Sequence, residues 1–272
     1  MIEDEKLTLS YLQNHPQEAS QVLESIPVET VATFLENIPV RICANVIASM
    51  TPHVNARLLP YLSEEKRHTL LRDLNVQLCA RILRHTEKQV RVNALKNLPT
   101  NLSWRIKVLL NYPQGTIGAV MNPDIRVARL TQTVQDAIDM IQETSGEESF
   151  IYVVDSQQHL TGYIMIGQLL VAGKQTALRH LMRPRPPSLP ARASLSSAGN
   201  NPAWSNHGAL PVVDRDNKIV GILSLTSLVQ NTPAEEEGSE HMGLLMGNIL
   251  DTYWTGWLSM LDVIFSKSRG GP

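Results

Sequence analysis

A twelve-residue repeat in the first part of the sequence limits what this chain can fold into. Residues 15–98 divide into seven consecutive blocks of twelve without a gap. The ninth residue of every block is Leu or Ile, the eighth is apolar, and the twelfth is apolar except at Thr86. Apolar residues with this spacing line one stripe of a helix. The repeat therefore predicts one short helix in each block.

Residues that start or break helices stand at the block boundaries, among them Pro27, Pro39, Thr51 and Ser63. Because helices of about two turns are not stable alone, neighbouring blocks must bury their stripes against one another, as solenoid repeats do. One long amphipathic helix is the alternative. The proline-led starts and a period that matches no heptad argue against it. We expect a right-handed superhelix of short helices over residues 1–114.

Charge is distributed unevenly along this solenoid. Residues 1–36 contain seven acidic side chains and one lysine, whereas residues 37–114 contain twelve basic and four acidic ones. The tenth residue is acidic in the first two blocks and basic in the last three: Glu24, Glu36, Arg72, Arg84 and Lys96. This column is either a solvated face or a docking surface. The partner-binding candidates here are Arg72, Arg84 and Lys96.

From Gly118 onward the pattern becomes mixed, and two segments share one design. Residues 150–155 and 209–214 are apolar runs that end in aspartate. Each is followed by four turn-like residues and a second apolar run that contains glycine, at 160–170 and 219–229. This order predicts a strand hairpin that leads into a helix, twice.

These segments, FIYVVDSQQHLTGYIMIGQLL and ALPVVDRDNKIVGILSLTSLV, resemble the CBS module, which occurs in pairs. The junction LLNYPQGTIGAVMNPDI resembles the stretch that joins the helical domain to the CBS pair in MgtE-type magnesium transporters. The resemblance implies a multidomain α and α/β chain with a helical solenoid, two CBS modules, and an acidic linker with an amphipathic C-terminal helix. The expected domains are residues 1–114, 115–177, 178–232 and 233–272.

The family resemblance also implies ligands. Mg²⁺ sensing in the family uses crowded carboxylates, which suit this cation, although a solvated turn and linker would have the same composition. The candidate metal ligands are Asp214, Asp216, Glu235, Glu236, Glu237 and Glu240.

An adenine nucleotide is the other ligand that the resemblance implies. CBS modules that bind adenosine carry Ser or Thr after the third strand and an aspartate three residues later. Here Met165 and Gln168 occupy these positions in the first copy, and Ser224 and Ser227 in the second. Both ribose-binding aspartates that the resemblance would imply are absent. The remaining nucleotide-binding candidates are Gly221 and Ser224, both in the second copy.

An apolar stripe in residues 249–265 predicts an amphipathic helix with Trp254 and Trp257 on one face. The face could pack on the chain's own domains, contact a dimer mate or other partner, or lie on a membrane surface. Only Lys267 and Arg269 are basic in this region, which disfavours the membrane. Trp254 and Trp257 are therefore further partner-binding candidates.

Several classes of protein are disfavoured by what the sequence lacks. It contains no phosphate loop, paired Cys-x-x-Cys, zinc-protease or nucleophile-elbow motif, so we do not expect an enzyme. Cys43 and Cys79 share the fifth block position, where small core residues stand, and two cysteines suit a reducing cytoplasm. A net charge of −2 gives no reason to expect nucleic acid. The sequence contains no run of about 18 apolar residues, so we do not expect it to span a membrane.

We therefore expect a non-catalytic cytoplasmic regulatory protein, peripheral to the inner face of the membrane, that senses Mg²⁺ or an adenine nucleotide and modulates magnesium transport. It would dimerise through its CBS pair, with Leu169, Leu170, Leu228 and Val229 at the contact. One alternative is a ligand-free scaffold that dimerises in the same way and docks a partner on the solenoid. Another is a pore-less relative that associates with a full-length transporter.

Overall fold

The computed structural model describes residues 2–142, 150–184 and 186–231. The chain divides into two units, residues 1–231 and residues 232–272. The second unit lies outside the described residues. The predicted amphipathic helix with Trp254 and Trp257 and the carboxylates Glu235, Glu236, Glu237 and Glu240 belong to it, and these predictions therefore stay untested.

Short α-helices fill the first region of the described chain. They are α1 (Ile2–Asn14), α2 (Pro16–Glu24), α3 (Val28–Glu36), α4 (Val40–Ser49), α5 (Pro52–Leu58), α6 (Glu64–Asp73), α7 (Val76–His85), α8 (Lys88–Asn97) and α9 (Thr100–Leu110). Helices α2 to α8 each begin at the second residue of a twelve-residue block, so the predicted series of helices is confirmed. A 3₁₀ turn, Leu59–Tyr61, follows α5 where Pro60 cannot continue the α-helix.

The apolar stripe of the repeat forms the core of this region. The ninth block residue is buried in all seven blocks, and the eighth is buried from Val46 onward. Thr86, the polar exception at position twelve, is buried as well. Its hydroxyl has a partner there, because it donates a hydrogen bond to the carbonyl oxygen of Leu83 (2.8 Å). The repeat thus tolerates one polar side chain in its core.

The fifth block residue has a second role, at the end of the preceding helix. Four side chains at this position donate hydrogen bonds to the carbonyl oxygen of the ninth residue one block earlier. The pairs are Asn55 to Ile47 (2.8 Å), Cys79 to Leu71 (3.2 Å), Arg91 to Leu83 (3.4 Å) and, one block beyond the repeat, Ser103 to Leu95 (2.8 Å). These bonds add a side-chain donor to carbonyls near the helix ends, where intrahelical donors run out.

Packing of alternate helices divides the solenoid into two layers. Helices α2, α4, α6 and α8 pack in one layer, and α3, α5, α7 and α9 pack in the other. The predicted single column of tenth residues is therefore two columns, because Arg72 and Lys96 lie in the first layer and Arg84 in the second. The acidic members bond to later helix starts: Glu24 accepts from the backbone N–H of Thr51 (2.5 Å), and Glu36 accepts from that of Ser63 (3.2 Å).

Two small α/β modules follow the solenoid. The first contains β1 (Val127–Arg129), α10 (Val134–Gln142), β2 (Phe150–Val154), β3 (Leu160–Met165) and α11 (Ile166–Val171), and its sheet is completed by β4 (Arg183–Pro184) in the order β1-β2-β3-β4. The second contains β5 (Leu189–Pro190), α12 (Leu195–Gly199), β6 (Ala209–Val213), β7 (Ile219–Ser224) and α13 (Leu225–Asn231), with strand order β5-β6-β7. The predicted hairpin leading into a helix is confirmed in both copies.

Each module completes the sheet of the other. Strand β4 precedes the second module but pairs with β3 of the first. Asn122 precedes the first module but exchanges two backbone hydrogen bonds with Ile222 of β7, at 2.7 and 2.9 Å. The two hairpin turns also pair, since the Leu160 N–H donates to the Asn217 carbonyl (3.0 Å). The modules are thus tied together across a pseudo-two-fold axis.

The solenoid and the second module share one hydrophobic core. Buried residues of the helices, of the junction at Ile117–Met121, and of β5 to α13 form a single cluster. The first module has a separate core around Ile151 and Ile164. A small apolar cluster that includes Tyr152 and Ile222 lies between the modules. The second module is therefore the one through which the solenoid connects to the pair.

Candidate functional site

Of the nucleotide-binding candidates, Gly221 lies within β7 and Ser224 ends that strand, immediately before α13. Ser224 is half-buried, and its hydroxyl oxygen accepts a hydrogen bond from the Ser227 N–H (3.1 Å) and donates one to the Ser227 hydroxyl (2.9 Å). In the first module Gln168 accepts from the backbone N–H of Met165 (3.3 Å). Both sites therefore cap the following helix, and the residues at the two positions where the family resemblance predicts a ribose ligand are Gln168 and Ser227.

Gly221 lies at the crossing between the two modules. A Cβ atom at this position would stand 2.7 Å from the carbonyl oxygen of Asn122 and 2.7 Å from the sulfur of Met121. Gly162, its counterpart in β3, is closely covered by Met182 and Arg183. The described contacts thus give Gly221 a packing role, independent of any ligand.

The aspartates that end β2 and β6 close the two hairpin turns. Asp214 Oδ1 accepts hydrogen bonds from the backbone N–H groups of Asp216 (2.9 Å) and Lys218 (2.8 Å). Asp155 accepts from the equivalent N–H groups of the first turn and also bonds to the imidazole of His159 (2.8 Å). One oxygen of Asp214 is therefore used by its own turn, and Asp216 is exposed.

No group of three or more His, Cys, Asp or Glu side chains able to hold a metal ion is present among the residues that the structure describes. Asp214 and Asp216 alone do not form such a site. The remaining predicted ligands, Glu235, Glu236, Glu237 and Glu240, lie outside the described ranges. A cation held by Asp214 and Asp216 would need further ligands.

Asp214 lies near the end of the solenoid. Burial and, second, the negative charge of Asp214 raise the pKa of the Tyr112 phenol. The Arg192 guanidinium carbon lies 5.8 Å from the centre of the same ring, a cation–π arrangement. The Tyr112 ring, just after α9, is therefore influenced by charges of two residues of the second module, Asp214 and Arg192.

Arg84 joins the solenoid to this junction. Its guanidinium donates hydrogen bonds to the carbonyl oxygens of Tyr112 (2.7 Å) and Leu109 (2.9 Å) at the end of α9. Nearby, Arg81 donates to the Asn231 side chain (3.3 Å) at the end of α13. Arg84 is thus half-buried and bonded within the fold, unlike Arg72 and Lys96, which are exposed.

An aromatic cluster lies between the two modules. The ring of Phe150 is 4.7 Å from that of His207 and 5.7 Å from that of Tyr163, and the Tyr152 hydroxyl donates to the Ala209 carbonyl (3.4 Å). Burial lowers the pKa of His207, which favours its neutral form. The sequence does not predict this cluster, because its members are far apart in the chain and match no motif.

Comparison with known proteins agrees with this architecture. Residues 14–115 match the MgtE intracellular N domain family, and residues 117–174 and 178–232 match the CBS domain family. The chain is an MgtE N domain joined to a CBS pair. It is homologous to the cytosolic region of MgtE, as its junction sequence predicted.

Curated relatives include the magnesium transporters MgtE of Thermus thermophilus, 24% identical over 139 residues, and of Enterococcus faecalis, 26% identical over 142 residues. These matches cover 50% and 51% of this chain and 31% of each transporter. The MgtE of Bacillus subtilis is 20% identical over 79% of this chain and 48% of the transporter. The chain thus spans less than half the length of these relatives.

Solved structures show the same fold. The cytosolic domain of the Mg²⁺ channel MgtE in complex with ATP superposes with a TM-score of 0.66 at 22% identity, over 82% of this chain and 92% of that one. The soluble part of a magnesium transporter gives 0.54 at 20% identity, over 85% and 97%. Along the described part of the chain, the model contains no helix with the length and apolar character that a membrane span requires.

The MgtE-like pair presents only part of the predicted dimer surface. Leu169 and Leu228 are 1% and 0% exposed, so they belong to the cores of their own modules, and the prediction that places them at a dimer contact is wrong. Leu170 is 76% exposed and its neighbour Val171 is 88% exposed. Val229 is half-buried. The exposed apolar residues thus lie at the end of α11 in the first module.

Proposed function

We propose that this chain is a non-catalytic cytoplasmic regulatory module that binds Mg²⁺ or an adenine nucleotide at its CBS pair and thereby modulates magnesium transport. The observation that carries the proposal is the shared core of the solenoid and the second CBS module. A ligand that shifts one module relative to the other would change the position of the Asn122 segment, which leads into the first module and is bonded to β7 of the second. Residues 111–121 connect that segment to the end of α9, so a shift on ligand binding would reach the solenoid.

Calorimetry with ATP, ADP, AMP and Mg²⁺ tests the proposal. We expect binding of at least one of the four, and silence for all of them would contradict the proposal. For a nucleotide, Ser224→Ala should weaken binding. Ser194→Ala is a matched control, because the Ser194 hydroxyl accepts from the Ser197 N–H (3.2 Å) at the start of α12 in the same module. Each substitution removes one helix cap, worth about 1 kcal/mol. Equal effects on affinity would exclude Ser224 from the site.

Mg²⁺ binding needs its own controls. Asp214→Asn keeps the shape of the side chain but removes its charge, and Asp155→Asn does the same at the equivalent turn of the first module. If Asp214 is a metal ligand, only Asp214→Asn should reduce a Mg²⁺-induced rise in melting temperature. Replacing Glu235, Glu236 and Glu237 by glutamine tests the rest of the proposed site. An unchanged Mg²⁺ response in both variants would remove these carboxylates from consideration.

We further propose a homodimer formed through the exposed end of α11. Burying Leu170 and Val171 would remove two large apolar side chains from water, each worth about 1.5–3 kcal/mol when fully buried. Light scattering at micromolar concentration should return twice the mass of one chain. Leu170→Lys should return the mass of a monomer, whereas a monomer in the unchanged protein would contradict the proposal.

A ligand-free scaffold is the second candidate function. The observation that favours it is the use of Ser224, Gly221 and Asp214 in capping, packing and turn formation. Such a scaffold would dimerise through the CBS pair and dock a partner on the exposed basic residues Arg72 and Lys96. Silence in all four titrations together with dimerisation would support the scaffold over the sensor.

A further inference from the structure

The two ends of the helical solenoid expose large apolar side chains. At the N-terminal end Val22 of α2 is 57% exposed, and at the C-terminal end Val92 of α8 and Trp104 of α9 are 50% and 54% exposed. Solenoid proteins ordinarily close their ends with repeats that carry a polar outer face. These three side chains belong neither to the candidate site of the CBS pair nor to the end of α11, so the proposed function does not use them.

The sixth residue of each block faces the next helix of the same layer. In α2, the hydroxyl oxygen of Ser20 lies 3.4 Å from the Ser49 carbonyl oxygen at the end of α4. The sixth residue is small and buried in most blocks: Ser20, Ala32, Ala44, Ala56 and Ala80. Val92 occupies this position in α8, and Trp104 occupies it in α9, one block beyond the repeat. Both are exposed because α8 and α9 are the last helices of their layers in the described part of the chain.

The eighth residue of each block faces the previous helix of the same layer. It is buried from Val46 onward, and Ala94 of α8 lines one cleft together with His68, the sixth residue of α6. The eighth residue of α2 is Val22, and it is exposed because α2 is the first helix of its layer. Helix α1 packs against α2 and α4 without covering it. Phe34 of α3, the first eighth residue of the other layer, is half-buried.

Each end of the solenoid therefore presents one half of a contact that recurs inside it. The N-terminal end offers eighth-position side chains, and the C-terminal end offers sixth-position side chains. Between successive helices of a layer, these two positions face each other. The N-terminal end of a second copy is thus the surface that matches the C-terminal end of the first.

The two ends also carry opposite charge. Residues 15–36 contain four acidic side chains and neither lysine nor arginine, whereas residues 87–110 contain five basic side chains and one acidic one. Opposite ends of two copies attract each other, and like ends repel. The charge distribution therefore favours a head-to-tail contact over a symmetric contact between two identical ends.

Charged side chains flank the exposed apolar ones on the same helix faces. Glu18 precedes Val22 by four residues, about one helical turn. Lys88 and Lys96 stand four residues before and after Val92. All three charged side chains are exposed. A contact that buries Val22 on the C-terminal end of a second copy would therefore bring a carboxylate close to ammonium groups.

We propose that the chain associates head to tail with a second copy, with the N-terminal end of one solenoid seated on the C-terminal end of the next. The contact buries Val22 of one copy against Val92 and Trp104 of the other. A contact between two different surfaces is heterologous, so it produces rings or open chains of copies. It uses no residue of the CBS pair, and it is separate from the dimer contact proposed for α11.

The test uses the full chain with Leu170→Lys in every sample, which removes the contact proposed for α11. Analytical ultracentrifugation at increasing protein concentration should show association beyond the monomer, and high salt should weaken it because exposed charges are screened. Val22→Gln and Trp104→Gln each remove one apolar side chain without a change of charge, and glutamine suits a helix. Each should raise the dissociation constant at least about tenfold, as expected for the loss of one large buried apolar side chain.

Mixing the two variants separates a head-to-tail contact from other modes of association. The Val22→Gln chain keeps an intact C-terminal end, and the Trp104→Gln chain keeps an intact N-terminal end. An equimolar mixture should therefore form a one-to-one heterodimer that grows no further, at concentrations where each variant alone is a monomer. Both substitutions change exposed side chains, so the circular dichroism and melting temperature should match those of the parent chain. A parent chain that stays monomeric at every concentration, association that survives both substitutions, or a mixture that stays monomeric would overturn the proposal.

Discussion

Gly221→Ala should destabilise the contact between the two CBS modules. The new methyl group would stand 2.7 Å from the Asn122 carbonyl oxygen, and part of the obstacle is backbone that cannot rotate away. The Asn122 segment would have to move, which strains the two hydrogen bonds it exchanges with Ile222. Overpacking of this kind costs about 1–3 kcal/mol. For a unit of this size we expect the melting temperature to fall by about 3 to 10 °C.

Gly167→Ala is the matched control, because a Cβ atom there meets nothing within 4 Å and Gly167 lies in α11. Replacing a helical glycine by alanine should stabilise the protein by about 0.5–1 kcal/mol. Thermal unfolding followed by circular dichroism compares the two variants, and hydrogen exchange of the Ile222 amide reports the contact itself. If Gly221→Ala melts at or above the temperature of Gly167→Ala with unchanged Ile222 exchange, the packing role of Gly221 is refuted.

Three further predictions follow from the burial and bonding of single groups. Burial raises the pKa of the Cys43 thiol to about 11 and that of Cys79 to about 12. At pH 8 neither thiol should therefore react with a thiol reagent until the protein unfolds. Rapid labelling of the native protein would contradict this prediction. Arg84→Met should lower the free energy of unfolding by about 1.5–3 kcal/mol, because two carbonyls of the junction lose a charged donor, whereas Arg72→Met at an exposed site should change it little in the same urea titration. Hydrogen bonds from His159 lower the pKa of Asp155. This carboxylate therefore stabilises the fold at pH values above its ordinary pKa, and the stabilisation is lost as the pH falls through the lowered pKa. Asp155→Asn should remove that part of the loss of stability at acid pH, and an unchanged acid limb of the stability–pH curve would refute the prediction.

The helical region could be predicted closely from the sequence, because its period is local and unbroken. From α4 onward, residues eight, nine and twelve lie on the buried face of each helix, and prolines and capping residues stand at the helix starts. The capping by fifth residues such as Asn55 could not be predicted in this way. It depends on which earlier carbonyl the stacked helices bring within reach, and that distance is set by tertiary packing.

For the candidate site, the sequence predicts which residues belong to it but not which contacts their side chains make. Family resemblance indicated Ser224, Gly221 and Asp214, but the sequence does not reveal that their atoms also cap a helix, admit a crossing segment and close a turn. The exchange between modules joins Asn122 to Ile222, one hundred residues apart, and no local pattern encodes such a pairing. Arg84 shares the tenth block position with Arg72 and Lys96, but it lies in the other layer of helices, where it reaches the junction.

Hydrogen exchange at the solenoid junction tests most directly whether the CBS pair communicates with the solenoid. The amides of residues 109–122 should be measured with and without a saturating concentration of whichever ligand binds in the calorimetry. We predict changed exchange in this segment and at the end of α9, because the second module and the solenoid share one core. Changes confined to the two modules, with residues 109–122 unaffected at full occupancy, would contradict it.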